Sequence, residues 1–179
     1  MSVLVVHESM FGNTRAVAES VAEGLRSVLG PSAVRELPVL DAADAELSGV
    51  ELVVLGGPTH AFGMSRPSTR AQAVTTAKDT SKQLQLEPGA DGIGQREWLQ
   101  SLPAGTRLAL FDTRMRGAGA PGHATRSASR TARRRHLEIV ERPRSFYVDR
   151  ANRLRPGETD RAWCWGVELA RHVPAHKPD

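Results

Sequence analysis

The sequence predicts an α/β fold, in which helices cover both faces of a doubly wound, five-stranded parallel sheet with the strand order 2-1-3-4-5. Two observations predict it. Short runs of aliphatic and β-branched residues alternate with longer segments in which apolar residues recur at helical spacing, and glycine or proline punctuates the ends of these segments. Because alternating strands and helices form right-handed βαβ units, the strands should run parallel.

Five segments carry the strand pattern. Val3–His7, Glu51–Gly56 and Arg107–Asp112 have the composition of strands buried on both faces. The others are a weaker edge strand at Ala33–Leu37 and a final strand in two pieces, Leu137–Val140 and Phe146–Val148, separated around Pro143. Proline cannot donate a ladder hydrogen bond, so the final strand belongs at an edge or a bulge.

Helical periodicity occupies the segments between the strands. The longest helix should begin at Asn13 and stop at Gly30-Pro31. Shorter helices are predicted over Asp41–Ser48, Gln95–Leu102, the arginine-rich segment 126–135 and Glu158–Val173, with a loop from Lys78 to Gly94. We find no repeat and predict one domain covering residues 1–179.

Composition indicates an ordinary globular chain, with 40% hydrophobic and 25% charged residues among 179. Cys164 is the single cysteine, which excludes an internal disulfide. The apolar run Val3–Val6 is too short for a signal peptide or a membrane span. We therefore predict a cytoplasmic protein that does not associate with membranes. We assign no metal, because Pro174 interrupts the helix that His172 and His176 would need.

Charge is distributed unevenly along the chain. The net charge is +4, but residues 1–112 carry 9 Lys and Arg against 13 Asp and Glu, whereas residues 113–179 carry 15 against 7. Five arginines of the basic part lie on the predicted helix: Arg126, Arg130, Arg133, Arg134 and Arg135. Aromatic residues do not alternate with these arginines, which argues against binding of nucleic acid. The pattern indicates a solvated helix face or a docking face for an acidic redox partner, and it leaves the oligomeric state open.

The segment Glu8–Thr14 lies between the first strand and the first helix. Ser9, Asn13 and Thr14 supply short polar side chains, and Gly12 lets a ligand approach the backbone. A helix N-terminus favours an anion, so this pattern predicts a phosphate site. It has no lysine of the nucleoside-triphosphate type. The alternative is a loop in which Asn or Thr caps the helix.

Two further loops follow predicted strands. Gly56–Gly63 contains paired glycines, which allow a flat ring to approach the backbone, with Pro58 to stiffen the loop and Phe62 to lie against a ring. The other loop, Asp112–Gly117, is cationic. Response regulators share this fold class, but they need an aspartate at the end of the third strand, where this chain has Gly56-Gly57. These glycines exclude a response regulator.

Together these loops resemble the flavin-binding loops of the flavodoxin family. They are also similar to those of the FMN domains of diflavin proteins and of quinone reductases of the tryptophan-repressor-binding-protein type. The resemblance implies a flavodoxin-like fold that binds FMN, with the phosphate on residues 9–14 and the isoalloxazine between residues 59–63 and 112–116. The FMN contacts that it assigns are Ser9, Met10, Phe11, Gly12, Asn13, Thr14, Pro58, Thr59, His60, Ala61, Phe62, Gly63, Asp112, Thr113 and Arg114.

The chain departs from the family in three respects. Phe11 stands where many flavodoxins have threonine, and the third loop has no Tyr or Trp to stack on the flavin. The sequence pI is about 10.0, whereas flavodoxins are usually acidic.

We predict an FMN-binding electron-transfer protein. The alternatives are an FMN-dependent NAD(P)H:quinone oxidoreductase and a flavin-free interaction domain. Gly117–Gly122 matches the dinucleotide pattern G-x-G-x-x-G, but it does not begin at a strand end in the first βαβ unit, which favours a flexible loop over a nicotinamide site. No residue is assigned as catalytic, and His60 is the one to test as a hydrogen-bond donor to flavin or quinone.

Overall fold

The computed structural model describes residues 2–60, 63–80, 84–116 and 122–174. Within these ranges six strands and five α-helices follow one another along the chain. The strands are β1 (Val3–His7), β2 (Val34–Pro38), β3 (Leu52–Pro58), β4 (Arg107–Met115), β5 (Glu138–Ile139) and β6 (Arg144–Val148). The helices are α1 (Asn13–Leu29), α2 (Pro67–Ala77), α3 (Gln95–Ser101), α4 (Ala124–Arg134) and α5 (Glu158–Leu169).

All six strands belong to one parallel sheet. Its order is β2-β1-β3-β4-β5, and β6 also pairs with β4. β5 lies beside Arg107 and Leu108 at the start of β4, whereas β6 lies beside residues 111–115 at its end. The two short strands thus share one edge of β4, with Pro143 between them. The predicted order and the predicted break in the final strand are confirmed.

The sheet is covered on both faces. Val3 and Val5 of β1 pack into a core cluster with α1 and α5, whereas Leu4 and Val6 pack into a second cluster with α3 and α4. All four side chains are fully buried, because successive residues of a strand point to opposite faces. This explains why β1 is apolar at four successive positions, Val3–Val6, rather than at every second one.

Helices α1 and α5 approach each other closely at two glycines. A Cβ atom on Gly24 would overlap the carbonyl oxygen of Trp163, and one on Gly166 would overlap the carbonyl oxygen of Val21. The helix backbones are therefore in contact at these positions, and a methyl group would force the helices apart.

One segment was predicted wrongly. Residues 41–48 form no helix and instead run as turns, held mainly by bonds between residues three apart, such as Ala43 N–H to Leu40 O and Ala45 N–H to Ala42 O. Val39 and Ala42 are buried there. An isolated helix of this length is marginal in water, so tertiary packing decides the conformation of the segment.

Helix α2 was not predicted. Its two buried side chains are Arg70 and Ala73, so it lacks the apolar stripe by which amphipathic helices are recognised. Among the described residues, no helix is both long enough and apolar enough to cross a membrane.

A buried polar cluster ties α2 and α3 to the end of β1. Glu8 follows β1 directly, and its Oε2 accepts bonds from Ser65 Oγ and from the backbone N–H of Gln95, both at 2.8 Å. Arg70 donates to Ser65 Oγ at 3.0 Å and to Glu97 Oε2 at 3.2 Å. Glu8 and Arg70 are each 3% exposed. The loops after β1 and β3 are thereby fixed to each other.

Burial raises the pKa of the Glu8 carboxyl above its ordinary value, although its hydrogen bonds and the charge of Arg70 oppose the shift. Glu8 Oε1 is buried and has no hydrogen-bond partner among the described residues. The folded protein therefore holds a proton here more tightly than the unfolded chain does.

We predict that Gly24→Ala destabilises the protein by about 1–3 kcal/mol, the usual range for overpacking. Helix propensity alone would make the alanine variant more stable by about 1 kcal/mol. A decrease in the free energy of unfolding would therefore be due to the contact with α5. Urea unfolding measures it. Glu23→Ala, at an exposed position of the same helix, is the control and should change the free energy of unfolding by less than about 0.5 kcal/mol. Stabilisation by Gly24→Ala would contradict the close approach.

We also predict that Glu8→Gln alters the pH dependence of stability. A carboxyl with a raised folded-state pKa contributes stability below its unfolded pKa and loses it as pH rises through the folded value. The wild-type free energy of unfolding should therefore fall above about pH 4.5, with a slope of up to about 1.4 kcal/mol per pH unit for one proton. Glutamine keeps the accepting oxygen but does not titrate.

The measurement is urea unfolding between pH 4.5 and pH 8. The free energy of unfolding of Glu8→Gln should rise relative to wild type as pH increases, whereas the exposed variant Glu23→Gln should parallel wild type. Parallel curves for Glu8→Gln would mean that Glu8 titrates in the folded protein as it does in the unfolded chain.

Candidate functional site

A cavity of about 650 Å³ opens at the carboxyl ends of the strands. We call it the sheet-end cavity. Segments that follow β1, β3, β4 and β6 form its wall, because the ends of parallel strands meet at one edge of the sheet. The wall residues are Ser9, Met10, Phe11, Asn13, Thr14, Pro58, Thr59, His60, Thr76, Thr113, Arg114, Met115, Gly122, Val148, Asp149, Arg150 and Asn152.

Most of the residues expected to contact FMN lie on this wall. The ten that do are Ser9, Met10, Phe11, Asn13, Thr14, Pro58, Thr59, His60, Thr113 and Arg114. Gly12, Gly63 and Asp112 are described but do not line the cavity. Ala61 and Phe62 lie outside the described residues, as do residues 117–121 of the G-x-G-x-x-G segment.

The loop after β1 turns sharply into α1. Gly12 has a φ of 86°, in the left-handed region, and its N–H donates to Ser9 Oγ at 3.1 Å. The first backbone bond of the helix runs from Ala16 N–H to the Gly12 carbonyl. The N–H groups of residues 13–15 therefore have no acceptor within the helix, and they lie at the positive end of its dipole.

Two hydroxyl groups meet on the cavity wall. Thr14 Oγ1 lies 2.7 Å from Thr113 Oγ1, and both side chains are buried. A hydroxyl carries one proton, so only one of the two donates within the pair. The other proton is left for a ligand.

The Asn13 side chain is committed within the protein. Its amide nitrogen donates to the carbonyl of Asn152 at 2.8 Å, and its Oδ1 accepts from Leu154 N–H at 3.1 Å. Asn13 thereby joins the loop after β1 to the loop after β6. Its role in the structure is to close the cavity between these two loops.

Asp112 anchors a helix instead of lining the cavity. It is fully buried in β4, and its Oδ2 accepts from Thr125 N–H at 3.0 Å and from Thr125 Oγ1 at 2.9 Å. This caps the first turn of α4, where a negative charge is favoured by the helix dipole. Asp112 thus fixes α4 to the sheet.

Two cations face the cavity without a neutralising partner. Within the described ranges no carboxylate forms an ion pair with Arg114 or Arg150, whereas Asp149, also on the wall, pairs with Arg153 at 3.5 Å. Arg114 donates to the Gly122 carbonyl at 3.1 Å. The wall therefore carries net positive charge, which suits an anionic ligand.

An aromatic ring lies beside the end of β4, although the predicted third loop, whose residues 112–115 belong to this strand, contains none itself. Arg114 and Arg116 place their guanidinium carbons 5.8 and 5.5 Å from the centre of the Tyr147 ring in β6. Cations thus occupy positions over the ring. Tyr147 does not line the cavity.

Two histidines near the site favour the neutral form. Burial and the charge of Arg70 lower the pKa of His60, and a backbone hydrogen bond with Thr69 opposes this only in part. Burial and the charge of Arg114, which contacts the ring, lower the pKa of His123. At neutral pH each ring therefore offers one N–H donor and one acceptor.

Seven wall residues were not anticipated: Thr76, Met115, Gly122, Val148, Asp149, Arg150 and Asn152. Four of them come from the end of β6 and the loop that follows it. The sequence could have predicted these four, because the loop after the final parallel strand must emerge at the same edge of the sheet as the segments that follow β1, β3 and β4. Thr76 comes from α2, the unpredicted helix.

No family model matches the chain, and no curated protein matches it. Solved structures are similar in fold. A flavodoxin from the domain Archaea is 18% identical, with 96% of this chain and 97% of that one covered and a TM-score of 0.59. Oxidised flavodoxin 1 from Bacillus cereus is 14% identical, with 97% and 100% covered and a TM-score of 0.65.

A third similar structure is the flavodoxin, WrbA-like protein from Agrobacterium tumefaciens, at 15% identity with 95% of both chains covered and a TM-score of 0.55. Such low identities carry information on the backbone arrangement rather than on the residues of the site. Together with the parallel order β2-β1-β3-β4-β5, they establish that this chain has the flavodoxin-like fold.

Proposed function

We propose that the sheet-end cavity binds FMN and that the protein transfers electrons. The observation that carries the proposal is the cavity itself, which combines the start of α1, a hydroxyl pair and two unneutralised arginines at the carboxyl ends of the strands. Its volume of about 650 Å³ falls in the usual range for small-molecule sites, about 300–1,000 Å³.

The residues present suit both ends of this cofactor. Met10, Phe11, Pro58 and Met115 offer apolar surface for a flat ring system. The backbone N–H groups at the start of α1 and the spare hydroxyl proton of the Thr14–Thr113 pair would hold the phosphate. Bound FMN would supply reversible one- and two-electron chemistry.

The chain's own residues would set the conditions around such a ligand. Arg114 and Arg150 hold positive charge at the wall, and the neutral ring of His60 can donate or accept a hydrogen bond. The basic composition of residues 113–179 favours an acidic protein as the redox partner, because opposite charges accelerate encounter.

We predict that FMN binds at least tenfold more tightly than riboflavin, a difference of about 1.4 kcal/mol. Riboflavin has the same ring but lacks the phosphate that the start of α1 would hold. Fluorescence titration of the purified protein with each flavin gives both dissociation constants. Equal constants would show that the start of α1 does not hold the phosphate, and absence of binding by either flavin would reject the proposal.

We further predict that Arg114→Ala lowers the midpoint potential of bound FMN by about 40 mV. A unit charge about 4 Å from a developing negative charge stabilises it by roughly 4 kcal/mol at an effective dielectric of 20. Solvent screening leaves roughly a quarter, about 1 kcal/mol or 40 mV for one electron. Arg116→Ala is the control, because Arg116 also lies over Tyr147 but does not line the cavity.

Spectroelectrochemistry measures the potentials. The potential of Arg116→Ala should stay within about 10 mV of wild type, well under the expected effect of the cavity residue. Equal changes in the two variants would attribute the effect to the general basic charge of the loop rather than to Arg114.

A further inference from the structure

A second cavity, of about 400 Å³, lies on the other side of the loop that contains His60. The residues after β3, the start of α2, helix α3 and helix α4 enclose it. Four arginines line it: Arg66, Arg96, Arg130 and Arg134. We call it the arginine cavity.

The four guanidinium groups are not neutralised. None of the described residues that line the arginine cavity is Asp or Glu. Across the part of the chain that the structure describes, no carboxylate forms an ion pair with any of the four. Arg96 is partly buried, whereas Arg66, Arg130 and Arg134 are exposed, so solvent screens their mutual repulsion. Their combined positive charge attracts an anion to the cavity.

One of these groups is already held in place. Arg96 donates from Nε to the carbonyl of Ser65 and from Nη2 to the carbonyl of Met64, both at 2.9 Å. These bonds fix the guanidinium plane while its third nitrogen stays available. A fixed arginine loses less side-chain entropy when it binds an oxyanion than a mobile one does.

Uncharged donors face the same space. Helix α2 begins at Pro67, so the N–H groups of Ser68 and Thr69 in its first turn have no acceptor within the helix. The hydroxyls of Ser68 and Thr131 make no hydrogen bond with the described residues. The cavity thus offers guanidinium, hydroxyl and backbone donors and no carboxylate acceptor.

Helix α4 contributes through a single face. Its wall residues are Ser127, Arg130, Thr131 and Arg134, which follow the i, i+3, i+4, i+7 spacing of one helix face. Arg126 and Arg133 lie on the same helix but do not line the cavity. The arginine-rich segment therefore divides into a face that lines the cavity and a remainder that does not.

We propose that the arginine cavity binds a small molecule that carries two adjacent phosphate groups. A diphosphate presents more oxygens for bidentate pairing than a single phosphate does, which suits a cavity lined by four arginines. Nucleic acid is disfavoured, because the cavity has the size of a small-molecule site and, among the described residues, no Phe, Tyr or Trp lines it for a base to stack on.

The test is calorimetric titration of the full chain with inorganic pyrophosphate at fixed ionic strength. We expect saturable binding of one pyrophosphate, at least tenfold tighter than binding of inorganic phosphate. The double variant Arg130→Gln, Arg134→Gln should weaken pyrophosphate binding at least tenfold. The matched control is Arg126→Gln, Arg133→Gln, which removes the same charge from the same helix and should change the affinity less than threefold.

Two further measurements locate the ligand. Pyrophosphate should shift the NMR signals of the His60 ring, which lines the cavity, but not those of the exposed His136. The cavity double variant should bind FMN with unchanged affinity, which separates this site from the start of α1. Thermal unfolding shows whether each variant is folded, and the charge-preserving variant Arg130→Lys, Arg134→Lys should bind with intermediate affinity.

Several results would overturn the proposal. If both glutamine double variants lost the same amount of affinity for pyrophosphate, the general basic charge of the helix would account for binding. An unsaturable pyrophosphate titration would mean that the arginines form a solvated face. Binding of a DNA duplex with a lower dissociation constant than pyrophosphate, by the same residues, would assign the surface to nucleic acid.

Discussion

Parallel pairing of the strands is the constraint on which both cavities depend. Because β1, β3, β4 and β6 all run in one direction, the segments that follow them emerge at the same edge of the sheet. A parallel sheet must also be covered on both faces, and α1 with α5 and α3 with α4 do so here. The edge at the carboxyl ends is left for loops, and functional residues of open α/β sheets collect there.

Two buried carboxyl groups help to hold the loops in position. Glu8 joins the end of β1 to Ser65 and Gln95, and Asp112 joins β4 to the first turn of α4. Both carboxylates are at least 97% buried and accept backbone N–H bonds at a helix start. Such bonds offset part of the desolvation cost of the charge, and they fix the angle at which α3 and α4 leave the sheet.

The sequence predicted those parts of the molecule that depend on local pattern. Strand β1 has four successive apolar residues, α1 runs from a Gly-Asn start to a Gly-Pro stop, and Pro143 marks the break in the last strand. Each of these leaves a signal in a few neighbouring residues. Helix α2 leaves none, since its buried face consists of Arg70 and Ala73 and is stabilised by contacts with Ser65 and Glu97 from elsewhere in the chain. The turns over 41–48 follow from packing of Val39 and Ala42 in the same way.

Within the sites, sequence reasoning found residue types but not their partners. Asp112 and Asn13 carry the side chains expected of ligand contacts, yet Asp112 is bonded to Thr125 and Asn13 to the backbone of Asn152 and Leu154. Tyr147 supplies an aromatic ring near the third loop from 31 residues beyond Arg116, and only the pairing of β6 with β4 brings them together. Which residues surround a site at the strand ends therefore depends on the pairing register of the strands as much as on sequence motifs.

The position of His60 relates the two cavities physically. His60 lines both cavities, and its N–H and carbonyl form reciprocal hydrogen bonds with those of Gly63, both at 2.8 Å. Burial and Arg70 keep the ring neutral, so it separates two electropositive spaces without adding a charge to either. An anion in one cavity would lower the electrostatic potential at this ring and favour its protonated form. A protonated imidazole carries an N–H on both ring nitrogens, whereas the neutral ring carries one donor and one acceptor.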